Sequence, residues 1–221
     1  MEIAGVDDAG RGPIIGPLVI AGVIIPRERV RDLREMGVKD SKMLTPLART
    51  QLRERIIGLA KLSVREAQPK EIDDFVLHGR KLRRLNFLEA RMMAEVISDL
   101  RPSEVYVDAS DVNEERFGET IRSFLSSDLQ KIKIVSKHHA DRTYPPVSAA
   151  SIIAKTHRDQ AIERLHEEYG DFGSGYITDP KTMQFLRAYR RSHDKYPPIV
   201  RVSWKTAKEV EDELGQSRLE A

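Results

Sequence analysis

Apolar residues follow two rhythms along this chain. Residues 3–7 and 18–25 are dense in β-branched and aliphatic side chains, and a stretch rich in glycine and proline divides them. That pattern predicts two strands joined by a loop. Residues 62–67 predict a third strand. Residues 104–108, Glu-Val-Tyr-Val-Asp, predict a short buried one that ends on a carboxylate, and residues 131–135 alternate as a fifth. Between them the spacing turns helical. Leu47, Leu52, Ile56 and Leu59 follow Thr45-Pro46, with Thr45 suited to the N-cap and Pro46 to the first turn. Leu85, Leu88, Met92, Val96 and Leu100 predict a long helix from about Lys81 to Leu100, closed by Arg101-Pro102, with Met92-Met93 as core filling. Residues 117–125, 147–169, 181–191 and 204–214 are further helices; Pro145-Pro146 ends a loop, and Gly170, Gly173 and Gly175 interrupt the pattern. Strands interleaved with helices predict an α/β domain around a central sheet, mixed because the first connection is short.

Composition narrows the chemistry. The chain has 221 residues, enough to bury a real core, and no cysteine, so disulfides and thiolate metal sites are excluded. A charged fraction of 33%, against about 25% for an average chain, predicts a heavily solvated surface. The net charge of +2 permits a nucleic-acid partner without demanding one. Two positive runs, Arg80-Lys81-Leu82-Arg83-Arg84 and Arg187-Ala188-Tyr189-Arg190-Arg191, read most simply as solvated helix faces. The N-terminus has no signal-peptide pattern, and the apolar run 18–25 is too short to span a bilayer; a soluble, cytoplasmic protein is the expectation.

Four aspartates stand at informative places. Asp7 and Asp8 end the first predicted strand, Asp108 ends the fourth, and Asp141 lies just beyond the fifth. Ligands of open α/β sheets bind outside the carboxyl ends of the strands. Carboxylates converging there repel unless a cation neutralises them, and oxygen ligands suit Mg²⁺ or Mn²⁺. Two such ions about 4 Å apart would activate a water and stabilise the leaving oxygen of a phosphodiester. The plainer alternative is that each aspartate caps the loop that follows it. Gly10-Arg11-Gly12-Pro13-Ile14-Ile15-Gly16 fails as a dinucleotide fingerprint, because the spacing is one residue too long and a strand follows. Its glycines fit a close backbone approach to a sugar-phosphate chain, with Arg11 alongside. His138-His139 are adjacent, and His157 and His166 stand nine apart, so a zinc site is not expected.

These segments together resemble the type 2 ribonucleases H, the ribonuclease HII family, and most of all its archaeal members. Gly5-Val6-Asp7-Asp8-Ala9-Gly10-Arg11-Gly12-Pro13 resembles the family's first motif, Lys39-Asp40-Ser41-Lys42 its second and Tyr106-Val107-Asp108 its third. His138-His139-Ala140-Asp141 with Tyr144-Pro145, then Ala149-Ala150-Ser151-Ile152-Ile153-Ala154-Lys155, resemble the fourth region. Gly170-Asp171-Phe172-Gly173-Ser174-Gly175-Tyr176, with Asp179-Pro180-Lys181-Thr182, resembles the fifth. The likeness runs over residues 3–206 with the motifs in order.

The resemblance implies an RNase H-like fold, a central mixed five-stranded sheet flanked by helices, over residues 1–195. A C-terminal helical tail, 196–221, is expected on or near the substrate groove. It implies a two-metal site on Asp7, Asp8, Asp108 and Asp141 holding Mg²⁺ or Mn²⁺. It also implies 2′-hydroxyl reading by Gly10, Arg11, Gly12 and Tyr176, and phosphate contacts by Lys42 and Lys155. The implied activity is cleavage of the RNA strand of RNA/DNA hybrids and nicking 5′ of ribonucleotides embedded in duplex DNA, with a 5′-phosphate and a 3′-hydroxyl as products. A monomer without a membrane partner is the expectation. One departure falls at the centre: the family pattern has Asp-Glu where this chain has Asp7-Asp8, an acid one methylene shorter. A hybrid-binding protein with weakened or lost catalysis is therefore the alternative. The related type 3 ribonucleases H carry an extra N-terminal domain, whereas this sequence opens directly at the first strand. Residues 216–221 offer Gln216 and Leu219 without an aromatic pair, which puts a sliding-clamp partner in doubt.

Overall fold

In a computed structural model, which describes residues 1–38, 45–78 and 84–219, the predicted alternation becomes one five-stranded sheet. Its strands are β1 (Glu2–Ala9), β2 (Leu18–Pro26), β3 (Lys61–Ala67), β4 (Glu104–Asp108) and β5 (Lys133–Lys137), in the order β3-β2-β1-β4-β5. The sheet is mixed as expected: β1 pairs antiparallel with β2, while β1–β4 and β4–β5 are parallel. The helices are α1 (Val30–Glu35), α2 (Pro46–Ile57), α3 (Pro69–His78), α4 (Arg84–Leu100), α5 (Glu114–Arg122), α6 (Ala140–Thr143), α7 (Pro145–Tyr169), α8 (Pro180–Ser192) and α9 (Lys205–Leu219). A 3₁₀ turn, Arg27–Arg29, precedes α1. Lys42 and the rest of its motif, and the stretch 81–83 where the long helix was expected to start, lie outside the described residues.

Capping sets several of these boundaries. The Thr45 hydroxyl accepts from the Ala48 N–H at 3.2 Å, with Pro46 opening α2. Asn113 caps α5 through the Arg116 N–H at 2.8 Å, so that helix begins three residues before the predicted Phe117. Turns at 126–132, with the Ile132 N–H on the Leu129 carbonyl, occupy the start of the predicted fifth strand and move β5 two residues on. Two helices, α1 and α3, fall where the sequence pattern makes no prediction, and α6 forms where it predicts a loop.

The chain packs as two compact units. The first holds the sheet, α1, α2, α4, α5, α6 and α7 as far as His157. One core gathers Ile3, Ala9, Val19, Ala21, Val23 and Ile25 of the sheet with Leu33, Leu52, Ile56 and the Ala149–Ala154 stretch of α7. Each Val, Leu or Ile among them contributes roughly 1.5–3 kcal/mol by leaving water. Helices α4 and α5 also pack on this unit's sheet, α4 against β1 and α5 against β5. The second unit holds the 10–18 loop, α3 and the chain from Arg158 onward, α8 and α9 included. Its own core is Ile14, Ile15, Ile162, Phe172, Leu186, Ile199, Val200 and Ala207.

Candidate active site

The parallel register of β1 and β4 sets Val6 opposite Val107, so the next residues outward are Asp7 and Asp108 at the carboxyl ends of adjacent strands. Helix α7 closes over this end of the first unit because residue 5 lacks a side chain. A Cβ on Gly5 would stand 2.1–2.4 Å from the backbone of Pro146 and Val147. Asp7 is buried, and Asp8 is partly exposed. Successive residues of a strand point to opposite faces, so the two acids leave β1 on opposite sides of the sheet.

Beyond β4 the pairing continues for one step, the Ala109 N–H donating to the Lys137 carbonyl at 2.9 Å. The chain after β5 then turns through His139, which has a left-handed backbone (φ 54°), into α6. Asp108 holds that turn, its Oδ1 accepting from the Ala140 N–H at 2.9 Å. Asp141 is the next residue of α6, and it is buried. Its backbone carbonyl accepts from the Ser148 hydroxyl of α7. One hydrogen bond thus ties the third acid to the segment that carries the fourth.

The Asp7 carboxyl is held well above its usual range, first by burial and then by the charges of Asp8 and Asp108. The Ser151 hydroxyl and the Asp8 N–H, which donates to Asp7 Oδ1 at 2.8 Å, act in the other direction. Carboxylates near enough to repel are the donor set that a hard divalent cation takes. Among the described residues, however, no three Asp, Glu or His side chains close on one point at metal-binding distances. Lys155 follows Ser151 by one turn of α7 and is half-buried on the same helix face. Two of the histidines have structural partners: His157 Nε2 meets Glu66 at 2.9 Å, and His166 Nε2 meets the Gly173 carbonyl at 2.8 Å.

In the second unit the 10–16 loop meets Tyr176. A Cβ on Gly12 would lie 3.9 Å from the tyrosine ring, which is 41% exposed and therefore open to a ligand. Gly10 has φ +84°, a conformation side chains resist, and its α-carbon faces the Arg158 side chain. Arg158 is buried, stacks its guanidinium 5.1 Å above the Tyr176 ring, and donates to the Ser174 carbonyl at 3.2 Å. Burial pulls its guanidinium below the usual arginine range. Sequence reasoning missed Arg158, Ser151 and Arg201. Arg201 is fully buried, and its guanidinium reaches the carbonyls of Gly10, Arg11 and Gly16. Its signal was legible as a lone charge inside the apolar run Ile199-Val200-Arg201-Val202.

Set against known proteins, residues 4–207 match the family described as Ribonuclease HII. The chain is 46% identical to "Ribonuclease HII" of Thermococcus sibiricus over 221 residues, covering 99% of this chain and 95% of that protein. Among solved structures it resembles the ribonuclease H2 of Pyrococcus horikoshii OT3, with a TM-score of 0.87 at 42% identity, covering 96% of this chain and 98% of the other. It also resembles the ribonuclease HII of Archaeoglobus fulgidus in a complex with PCNA, with a TM-score of 0.83 at 39% identity, covering 94% and 96%. The doubt about a clamp partner gains no support from that complex, and the alternative of a hybrid-binding protein with weakened or lost catalysis gains none from these likenesses. Motif order, the mixed five-stranded sheet and these likenesses agree throughout: the chain belongs to the ribonuclease HII family.

Proposed function

We propose that this nuclease cuts the RNA strand of RNA/DNA hybrids and nicks duplex DNA on the 5′ side of an embedded ribonucleotide, using two divalent ions held by Asp7, Asp8, Asp108 and Asp141. The family is a ribonuclease H family and depends on divalent metal. What carries the reading for this chain is the register that sets Asp7 and Asp108 at adjacent strand ends, where burial first and the charges of Asp8 and Asp108 next make the Asp7 carboxyl hard to ionise. A donor set made only of carboxylates suits Mg²⁺ or Mn²⁺ better than zinc, whose structural sites favour sulfur and nitrogen. Ions bound there would generate the attacking hydroxide and stabilise the departing 3′-oxygen.

The residues themselves position the parts. Asp108, through the Ala140 N–H, fixes the turn that delivers Asp141. Gly10, Arg11 and Gly12 offer backbone to the ribose edge, and Tyr176 offers its ring, so the 2′-hydroxyl selects the RNA residue. Lys155 and Lys42 are proposed as phosphate contacts, each a point charge. Cleavage leaves a 5′-phosphate and a 3′-hydroxyl, and the chain acts as a monomer.

Purified protein given a DNA duplex with one ribonucleotide is expected to nick it 5′ of that residue, only with Mg²⁺ or Mn²⁺. Binding without cutting under both metals sinks the enzymatic reading. The same assay on Asp8→Glu measures the shortened acid. A rate increase of tenfold or more, out of the roughly hundredfold that a 1 Å misplacement can cost, marks Asp8 as limiting. Equal rates mark it as accommodated.

A further inference from the structure

Trans peptide groups are planar, with each C=O opposite the N–H of the next residue. A group that draws in consecutive carbonyls therefore turns the following amides the other way. Arg201 does this to the 10–16 loop. Its guanidinium donates to the Gly10 carbonyl at 2.6 Å, the Arg11 carbonyl at 3.0 Å and the Gly16 carbonyl at 2.8 Å, and Nε adds a second bond to Gly16 at 3.0 Å. The Trp204 indole N–H donates to the Gly12 carbonyl at 3.1 Å, and the Arg201 guanidinium lies 5.0 Å over that indole ring. Three successive carbonyls, Gly10, Arg11 and Gly12, are thus held on the Arg201–Trp204 side. The amide N–H groups of Arg11 and Gly12 must then be turned to the opposite side. The third peptide ends in Pro13, which has no N–H to present.

Arg201 is itself held in place. Its own N–H donates to the Ile14 carbonyl at 2.8 Å, and Gly16 N–H donates to the Ile199 carbonyl at 2.9 Å. Asp73 of α3, also buried, accepts from the Val202 N–H and the Ser203 N–H, each at 2.9 Å, and from the Ser203 hydroxyl at 2.5 Å. A buried arginine is costly unless its donors are satisfied, and here the satisfaction comes from backbone carbonyls of one loop.

We infer that Arg201, seconded by Trp204, is a positioning residue for substrate selection: it sets the peptide planes of Gly10–Gly12 so that the amides of Arg11 and Gly12 are presented as donors to the ribose. The inference rests on the reading above that this loop meets the 2′-hydroxyl. Arg201 touches no reacting atom and acts through the loop alone. Lysine cannot reproduce the fork, because one ammonium cannot span three carbonyls in fixed directions. The Trp204 indole supplies one bond that Phe cannot.

The test measures a ratio: affinity for a duplex with one ribonucleotide divided by affinity for the all-DNA duplex of the same sequence, with chelator present so that nothing is cut. Arg201→Lys is expected to lower that ratio about tenfold, the worth of one or two donors. Trp204→Phe is expected to lower it by about threefold, the worth of a single net hydrogen bond at the low end. A merely structural role would weaken both duplexes equally and leave the ratio unchanged, and that result in folded Arg201→Lys overturns the inference. Should Arg201→Lys not fold, Trp204→Phe decides alone, an unchanged ratio again overturning it. If the unaltered protein does not distinguish the two duplexes, the ribose-reading role of the loop fails first, which separates that failure from this one.

Discussion

Burial and the charges of Asp8 and Asp108 make the Asp7 carboxyl harder to ionise in the folded protein than in the unfolded chain. With its pKa raised on folding, the native state binds the extra proton, so stability falls as pH rises from the ordinary carboxylate value of 3.8 through the raised one. Without metal, the charged form of Asp7 is therefore the form that folding disfavours, and a neutral isostere should relieve that cost. Asp7→Asn is expected to raise Tm in chelator, by about 2–4 °C for each kcal/mol relieved in a chain of this size, while abolishing cleavage. Calorimetry beside the nicking assay checks both, and a lowered Tm would refute the electrostatic account. Asp8 is the other residue of interest at this scale. It leaves β1 on the face opposite Asp7 and is one methylene short of the glutamate in the family pattern, so its reach is the quantity that Asp8→Glu measures.

At the scale of elements, the carboxyl end of β1 and β4 depends on how closely α7 approaches. Gly5 permits that approach, since a Cβ there would overlap the Pro146–Val147 backbone, which cannot rotate away. Gly5→Ala is expected to cost about 3 kcal/mol, the upper part of the usual range for overpacking, read as a Tm drop of about 6–12 °C. Glu104 anchors the opposite end of β4. Its buried carboxylate meets Lys133 Nζ at 2.6 Å, the Tyr106 hydroxyl at 3.0 Å and the Arg27 guanidinium. The hydrogen bond from Lys133 is the main reason its pKa is lowered from the ordinary 4.5. A lowered pKa contributes stability above pH 4.5 that is lost as pH falls through the folded value. Glu104→Gln should thus be less stable at pH 7, and its deficit should narrow below pH 4.5. A deficit independent of pH would show that packing, not charge, is what Glu104 contributes.

At the scale of the molecule, the proposed roles divide between the two compact units. Asp7, Asp8, Asp108, Asp141 and Lys155 belong to the first; the 10–16 loop, Tyr176, Arg158 and Arg201 belong to the second. Chemistry and recognition should accordingly separate on mutation. Asp141→Asn is expected to lose cleavage at least about a hundredfold while keeping its affinity for the ribonucleotide-bearing duplex. Tyr176→Ala is expected to lose mainly affinity, about tenfold or more if its ring stacks as a ligand platform. Fluorescence anisotropy beside single-turnover cleavage distinguishes the two, and equal losses in both assays for both variants would reject the division. Among the described residues no helix is long and apolar enough to cross a membrane.

Much of this was determined by sequence alone. Apolar, β-branched runs located the first strands, alternation the fifth and 3.6-residue periodicity the long helices, because burial leaves its mark locally in the sequence. The ordered motifs identified the family, and Thr45-Pro46 marked the start of α2 because a cap needs only neighbours along the chain. Helices α1, α3 and α6 escaped notice, and β5 lay two residues from its predicted place, since turn geometry outweighed alternation there. The tertiary structure alone decided what depends on partners distant in sequence. Arg201 acts on carbonyls 185 to 191 positions away, and Asp73 holds residues about 130 positions on. Ser151 matters because α7 lies over β1. A one-dimensional pattern records which residues are apolar or charged; which of them meet is fixed by strand register and helix packing, and on those meetings the site depends.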